Sequence, residues 1–565
     1  MRIPLRILAI LTAAIYVVIA SLSHQFQDAH APSERPILGV LTLLAIACLL
    51  YLVSLALIAW PARRSGESTV AGSDAYPGVF RDVLLLSILF RLVLLLSVPI
   101  QEVDFYRYLW DGRVLWQGLN PYQFAPAQID SAGVGSPTEL SEYTALRDAS
   151  GEVKEFFARI HHRQVPTIYP PLAQVLFAVC AAITPAAAPI WLHVLVLRGL
   201  LILVDIAILF SMRGLLRHVG MSSAWCLAYG WCPLAIKEVA NSAHMDGLAV
   251  LFSLTMLQLL LKAARAQPAG NRSQLQWAMA GGCLGLAILS KTYPLILLPL
   301  AASFAIARIR AWAIVPLLAC AAVVTAGYLP FLDRRASPEP ASQGSFDMDS
   351  PLIGLKTFLT QWQMNDLLFM VVHENLRLPQ VETNRWYVAT PLEWRREINR
   401  HAASLLARGD VAPSVDPAFV MTQLVMGTLL LVLLIGCAWW VFRSPEPLVL
   451  LRSVFLVLAW GWLLSSAQNP WYVLWFLPLM PFARCRSWFF VPCLAIAYYL
   501  RFWLVFQGEW TAATGECPVF DYGWVWFEHG LVLGALTVEA WIRGHRGRDT
   551  GHSGAPGGTT SRGLA

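Results

Sequence analysis

Apolar residues run in long unbroken stretches along most of the chain, and charged residues are largely confined to the connectors between them. The first run follows Arg2 and Arg6 and ends near Ala20; the next two cover about Ile37 to Trp60 and Val79 to Pro99. After a polar interval come runs of about Pro171 to Ala188, Ile190 to Met212, Ala224 to Val239, Gly247 to Leu261, Leu275 to Leu289, Pro294 to Ala307, Trp312 to Phe331 and Phe419 to Phe442. The last four extend from about Leu448 to Ser465, Val473 to Phe482, Trp488 to Phe506 and Gly523 to Ile542. A straight helix needs about 20 apolar residues to cross the hydrocarbon core, so the long runs predict spans and the short ones predict spans that are tilted, shared or only partly inserted. The expected fold is an all-α polytopic membrane protein with roughly 13 to 15 transmembrane helices.

Basic connectors orient these runs. Arg63-Arg64 closes the second run, and Lys262 with Arg265, Arg308 with Arg310, Arg443, Arg484 with Arg486 and Arg543 with Arg546 close or join later ones. All lie on the cytoplasmic side under the positive-inside rule if Arg213 and Arg217 do. That requires an odd number of crossings between residues 170 and 212, where two apolar runs are found; either the Pro171 run is re-entrant or the charge rule fails locally. The first run reads as a retained helix, with a signal peptide cleaved after Val18-Ile-Ala20 as the alternative. Four regions result: an N-terminal hairpin (1–78), a central membrane module (79–507) with outer loops at 100–169 and 333–418, a last outer loop and span (508–542), and a Gly/Ser/Thr-rich tail (543–565) that reads as disordered and cytoplasmic.

One polar segment stands out in this pattern, EVDFYRYLWDGRVLWQGLNPYQFAP from Glu102 to Pro126. A helix over 104–117 would place Phe105, Tyr108, Leu109, Gly112 and Trp116 on one stripe and Asp104, Arg107 and Asp111 on another, with its carboxylates facing water at a membrane surface. An ordinary interfacial helix carrying an i,i+4 Arg107–Asp111 pair accounts for the segment equally well. The charge rule, however, brings NSAHMDG (Asn241 to Gly247), SKTYP (Ser290 to Pro294), AQNPWY (Ala467 to Tyr472) and the loop from Asp333 to Pro417 to the same outer face. Ionisable groups at span ends are costly unless paired or functional, so their convergence predicts a site.

Composition narrows the class. With 57% hydrophobic and 13% charged residues in 565, the chain lies well outside soluble globular proteins. A net charge of +6 spread over connectors offers no clustered basic domain for nucleic acid. The ten cysteines form no CxxC or Cys/His spacing for zinc and read as small hydrophobes, Cys517 being the one expected in an oxidising compartment.

The ordered motifs EVDFYRYLWDGRVLWQGLNPY, YPPLAQ (Tyr169 to Gln174), NSAHMDG, LSKTYPLILLPL and NPWYVLWFLPL together resemble the integral-membrane glycosyltransferases of the GT-C superfamily. The likeness is to the polyprenyl-phosphate-mannose-dependent enzymes, including family 87 and the catalytic subunit of glycosylphosphatidylinositol mannosyltransferase I. It implies transfer of a hexose, mannose first, from a polyprenyl-phosphate donor to an acceptor hydroxyl on a glycolipid, polysaccharide or protein at the non-cytoplasmic face of a bacterial inner membrane, with inversion. By the resemblance Asp104 is the general base. Glu102 stands where relatives often carry an acid, to position acceptor, to bind a divalent cation with Asp104, or for neither. No metal is assigned. A leaving phosphate needs cations; Arg107, Arg113, Lys291 and His244 are the candidates, with Arg113 turned away from Asp104 on a regular helix. Asp246 either holds a sugar hydroxyl, orients His244, or caps the next helix. Asp111, Tyr169 and Tyr293 complete the binding set, and Trp110, Trp471, Tyr472 and Trp475 could stack on sugar or prenyl chain. Trp362, His373, Arg385 and Trp386 in the second outer loop bear on acceptor choice. The competing classes are a transporter or flippase of lipid-linked sugars and an inactive scaffold of the same fold.

Overall fold

The computed structural model describes residues 2–27, 30–64, 78–132, 138–266, 271–332, 362–378, 385–408, 416–510 and 516–552. Among them the chain is helical throughout, its one β-contact being an isolated bridge between Met364 and Ala467. Seven helical segments are long and apolar enough to cross a membrane, and Pro171–Ile183 and Pro447–Leu463 are shorter apolar helices. The chain is an integral membrane protein.

The N-terminal helix α1 (Arg2–Ser23) is part of the packed body. Arg2 and Arg6 both bond Asp82 at the start of α3 (Val79–Leu95), Tyr16 packs edge-on against Phe90, and the Ser23 hydroxyl accepts from the Val98 amide. Between them lies α2 (Ile37–Arg64). The polar segment forms α4 (Phe105–Trp116), and it sits against α5 (Pro171–Ile183), the contact being made by Gly112: a Cβ there would lie 2.2 Å from the Phe177 carbonyl oxygen.

The ambiguity between residues 170 and 212 is resolved by α6 (Ile190–His218). Arg198, near its start, donates to the carbonyls of Leu94 and Ser97 at the end of α3, while Arg213, near its end, lies over the Phe80 ring at the start of α3. The two helices are antiparallel and cross the same thickness. The 13-residue α5 is too short to span, and it begins and ends on the side of Ser97, since Gln174 meets Asp111 and Thr184 meets Arg113 on α4. Both of its ends therefore pack on α4, as the re-entrant alternative expects.

Beyond α6 the span at 223–241 is broken into a 3-10 turn, two single helical turns and a π-helical turn (Lys237–Asn241). Arg91 of α3 serves the break: it pairs with Asp205 of α6 and donates to the Gly230 carbonyl, while Tyr229 donates to Asp205. An irregular backbone at this depth needs such internal partners. Next come α7 (Gly247–Arg265), α8 (Asn271–Ser290), α9 (Leu298–Ile309) and α10 (Ile314–Leu332). Arg310, in a left-handed conformation (φ 51°), turns the chain between α9 and α10. Gly281 of α8 meets the Pro316 carbonyl of α10 so closely that any Cβ would collide, and Gly285 meets Val323; small residues one turn apart let helices approach in lipid.

The chain returns through α11 (Pro417–Arg443) and α12 (Pro447–Leu463), then through 3-10 turns at Pro470–Trp475 and Leu477–Phe482, broken helix from Arg486 to Phe506, and α13 (Val525–His552). The tail expected to be disordered from residue 543 is instead helical to His552, because α13 continues past the span into its arginine-rich end; the residues after 552 lie outside the described ones. Much of loop 333–418 also lies outside them, as does Arg63-Arg64 for its side chains.

Candidate active site

Asp104 occupies the N-cap position of α4 without capping it: its carboxylate makes no bond to the helix amides. Among the described residues it meets no hydrogen-bond or ion-pair partner, and it opens into a cleft walled by Arg107, Tyr169, Lys291, Tyr293, Trp471, Tyr472 and Trp475. Burial pushes its pKa above the ordinary aspartate value; Lys291, His161 and Arg107 pull the other way, and Asp246 adds to the rise. Desolvation that raises the pKa of an uncommitted carboxylate makes it a stronger base than an exposed one.

The segments that converge here come from four distant parts of the chain. Lys291 donates to Asp246 at 2.6 Å, and the Trp475 indole donates to the same carboxylate oxygen at 2.6 Å. Tyr293 stacks on Trp475 at 4.1 Å, Trp475 on Tyr472 at 4.3 Å, and the Lys291 ammonium lies 4.7 Å from the Tyr472 ring centre. Parallel rings beside a lone carboxylate suit the apolar faces of a pyranose. Asp246 precedes α7 but makes no cap bond, so the helix-capping alternative is set aside: it holds Lys291 and Trp475 in place. Arg107 bonds Asp111 at 2.9 Å and the Val165 carbonyl, and Gln174 donates to the other Asp111 oxygen.

Several expectations are corrected. Of the two carboxylates expected to face water, Asp111 does not: it is 1% exposed, because α5 and the 165–170 loop cover it. Trp110 does not reach the cleft; it is 2% exposed and packs edge-on against Phe157 at 4.5 Å inside the outer loop. Arg113, expected to turn away from Asp104 on a regular helix, does so and does not line the cleft as a phosphate ligand: it is buried against Thr184. His244 is stacked on Trp471 at 3.8 Å and sits 3.3 Å from Glu238, behind the cleft wall rather than in it. Of the second outer loop, Trp362 lines the cleft, while His373 pairs with Asp416, Arg385 with Glu374, and Trp386 is exposed away from it.

Glu102 has a different environment. The Tyr499 hydroxyl lies 2.9 Å from a Glu102 oxygen and 2.9 Å from a Glu238 oxygen. A hydroxyl has one proton to donate, so it donates to one carboxylate and accepts from the other, which must itself hold a proton. Burial pushes the Glu102 carboxyl up to about 8; Lys237 opposes this and Glu238 reinforces it. Glu102 and Asp104 line different clefts. Glu102 ties the start of the polar segment to Tyr499, and Asn241 holds the residues before it, accepting from the Ile100 amide and donating to Ser97 and Val98. The sequence reading overlooked Lys237, Glu238 and Tyr499. The signal was present in Lys237-Glu238, a charged pair inside an apolar run.

The alpha-(1->6)-mannopyranosyltransferase N-terminal domain, the MptA_B family, matches residues 8–308, just over half of the 565. The chain belongs to this family. It is a mannosyltransferase of the GT-C type, and among curated proteins and solved structures no match to it is found. The matched region of the mannosyltransferase holds Glu102, Asp104, Asp111, Tyr169, His244, Asp246, Lys291 and Tyr293; the wall made by Trp471, Tyr472 and Trp475 and the Tyr499 anchor lie beyond it.

Proposed function

We propose that the protein moves mannose from a polyprenyl-phosphate carrier to an acceptor hydroxyl, forming an α-(1→6) bond at the non-cytoplasmic face of the membrane. The observation that carries this reading is the Asp104 carboxylate, which lines the cleft and meets no partner among the described residues, while Asp111 and Asp246 nearby are each bonded to a cation. The acceptor oxygen attacks the anomeric carbon, its proton passes to Asp104, and the bond from that carbon to the phosphate oxygen breaks with its electron pair kept by the phosphate. One base and no covalent intermediate give inversion, so a β-linked donor yields an α-linked product. Under the charge rule the basic connectors lie on the face opposite the cleft, which supports a non-cytoplasmic site. The narrower likeness to family 87 and to glycosylphosphatidylinositol mannosyltransferase I rests on the motifs alone.

Purified protein in liposomes, supplied with radiolabelled polyprenyl-phosphate mannose or with a nucleotide-activated mannose and an oligomannoside acceptor, tests the reading. Label should reach the acceptor from the lipid donor, and an α-(1→6)-specific mannosidase should remove it. Transfer from the nucleotide sugar alone would overturn the donor assignment.

A further inference from the structure

The turn between α9 and α10 closes over a pocket of about 200 Å³, bounded by Gln274 and Trp277 of α8, by Arg308, Arg310 and Trp312 of the turn, and by Val315 of α10. It lies far from the catalytic cleft. Gln274 stands near the start of α8 and Lys291 just past its end, and at about 1.5 Å per residue the helix holds them roughly 25 Å apart. The pocket therefore opens at the opposite surface of the membrane.

Its polar groups differ from an ordinary interfacial belt of arginine and tryptophan. Trp277 is 2% exposed, and its indole Nε1 has no acceptor, although a buried indole N–H ordinarily finds one. Arg310 is exposed and meets no acid or carbonyl among the described residues. Its φ of 51° is a conformation that a residue with a side chain rarely adopts, and such positions cluster at functional turns. Arg308 is fixed by two bonds, from Nε and Nη2 to the Pro445 carbonyl, which leave its Nη1 without a protein acceptor. Among the described residues no carboxylate lines the pocket. The surface beside it is apolar: Leu275 and Met279, one turn apart on α8, and Ile314 and Leu318, one turn apart on α10, are all exposed. The two helices are held together just beyond, where Gly281 meets the Pro316 carbonyl.

We infer that this pocket binds the phosphate of an anionic glycerophospholipid drawn from the leaflet opposite the Asp104 cleft. The phosphate lies between Arg308 and Arg310, an oxygen of the headgroup accepts from the Trp277 indole, and the acyl chains follow the exposed stripes of α8 and α10. Arginine suits a phosphate because its planar fork offers parallel donors, and basic pockets between spans collect anionic headgroups. A soluble anion would use the same cations but would have no need of the apolar stripes. Bound there, the lipid bridges α8, α9 and α10 and stabilises the folded chain, since the unfolded chain has no such pocket. The proposal does not depend on the donor reading.

Native mass spectrometry of the full chain, titrated with phosphatidylglycerol or with phosphatidylethanolamine of the same acyl chains, reads the affinity. A phosphatidylglycerol with a diazirine in its upper acyl chain, bound to the full chain in nanodiscs, reads the place. The tightest phosphatidylglycerol should bind at least about tenfold more strongly than phosphatidylethanolamine, and label should concentrate on residues 274–279 and 312–318. Arg310→Gln should weaken that binding about fivefold, and Trp277→Phe, which keeps a ring and removes the N–H, about threefold or more, with both eluting as the folded wild type. The lipid comparison and the wild-type label map depend on neither variant. Equal affinity for the two lipids, or label spread evenly over the lipid-facing surface, would overturn the proposal. Protection of the site by inorganic phosphate as strong as that by phosphatidylglycerol would make the ligand a soluble anion and overturn the lipid assignment. Unchanged affinity in folded Arg310→Gln would overturn the placement of the phosphate at the turn.

Discussion

Glu102→Gln separates the two acids of the EVD segment. In the native protein Glu102 is buried, shares the Tyr499 hydroxyl with Glu238, and has its pKa pushed from 4.5 to about 8. The folded protein therefore binds this proton more tightly than the unfolded chain. The stabilisation is complete below about pH 4.5 and is lost progressively as pH rises through about 8. At about 1.4 kcal/mol per pH unit, a rise from 4.5 to about 8 corresponds to roughly 4–5 kcal/mol lost across that window. Glutamine reproduces the protonated acid: it has an acceptor for Tyr499 and a donor beside it, and it does not titrate. Detergent-solubilised protein heated at a series of pH values and scored by size-exclusion should show the wild-type midpoint falling by several degrees between about pH 6 and about pH 9, with the variant falling clearly less. Mannosyl transfer by the variant at neutral pH should stay within about threefold of wild type, since about nine-tenths of Glu102 is already protonated there. A well-folded variant that lost transfer by about a hundredfold, or that kept the wild-type pH slope of stability, would refute the reasoning and make the ionised carboxylate essential.

Other outcomes follow from the same geometry. Asp246→Asn removes the counter-charge that holds Lys291 and Trp475; a hydrogen bond to a charged group contributes roughly 1.5–3 kcal/mol, so kcat/KM should fall about 10- to 150-fold with expression unchanged, and wild-type kinetics would deny Lys291 its positioned role. Gly112→Ala forces a Cβ against the Phe177 carbonyl and should lower stability by about 1–3 kcal/mol in thermal unfolding, whereas neutrality would mean α4 and α5 are not in contact there. Arg91→Met leaves Asp205 buried without its partner and should cost about 3–5 kcal/mol, part of which Arg91→Met with Asp205→Leu should recover.

The apolar pattern made the fold class legible because helices in a membrane must be long, apolar and internally hydrogen-bonded. It was less able to read α5, whose 13 residues look like a span in composition but lie on one side, a fact visible only through Arg198 and Arg213 on α6. The convergence of Asp104, Asp246, Lys291, Trp471 and Tyr472 followed from charge topology alone. Their division of labour did not, since helical periodicity says nothing of what α5 and the 165–170 loop place over Asp111, or of Phe157 against Trp110. Tyr499 lies 397 residues from Glu102, and no local pattern links them.

Asp104 as the base is tested most directly by the pH dependence of transfer in wild type and Asp104→Asn. Because the base must be ionised, wild-type turnover should fall as pH is lowered through the Asp104 pKa, which burial holds above the ordinary aspartate value. The purified, folded Asn variant should lose at least about a hundredfold in kcat at every pH, the typical range for a general base being 10²–10⁴, and should show no such limb. Transfer by Asp104→Asn at the wild-type rate, with the acidic limb intact, would contradict the account.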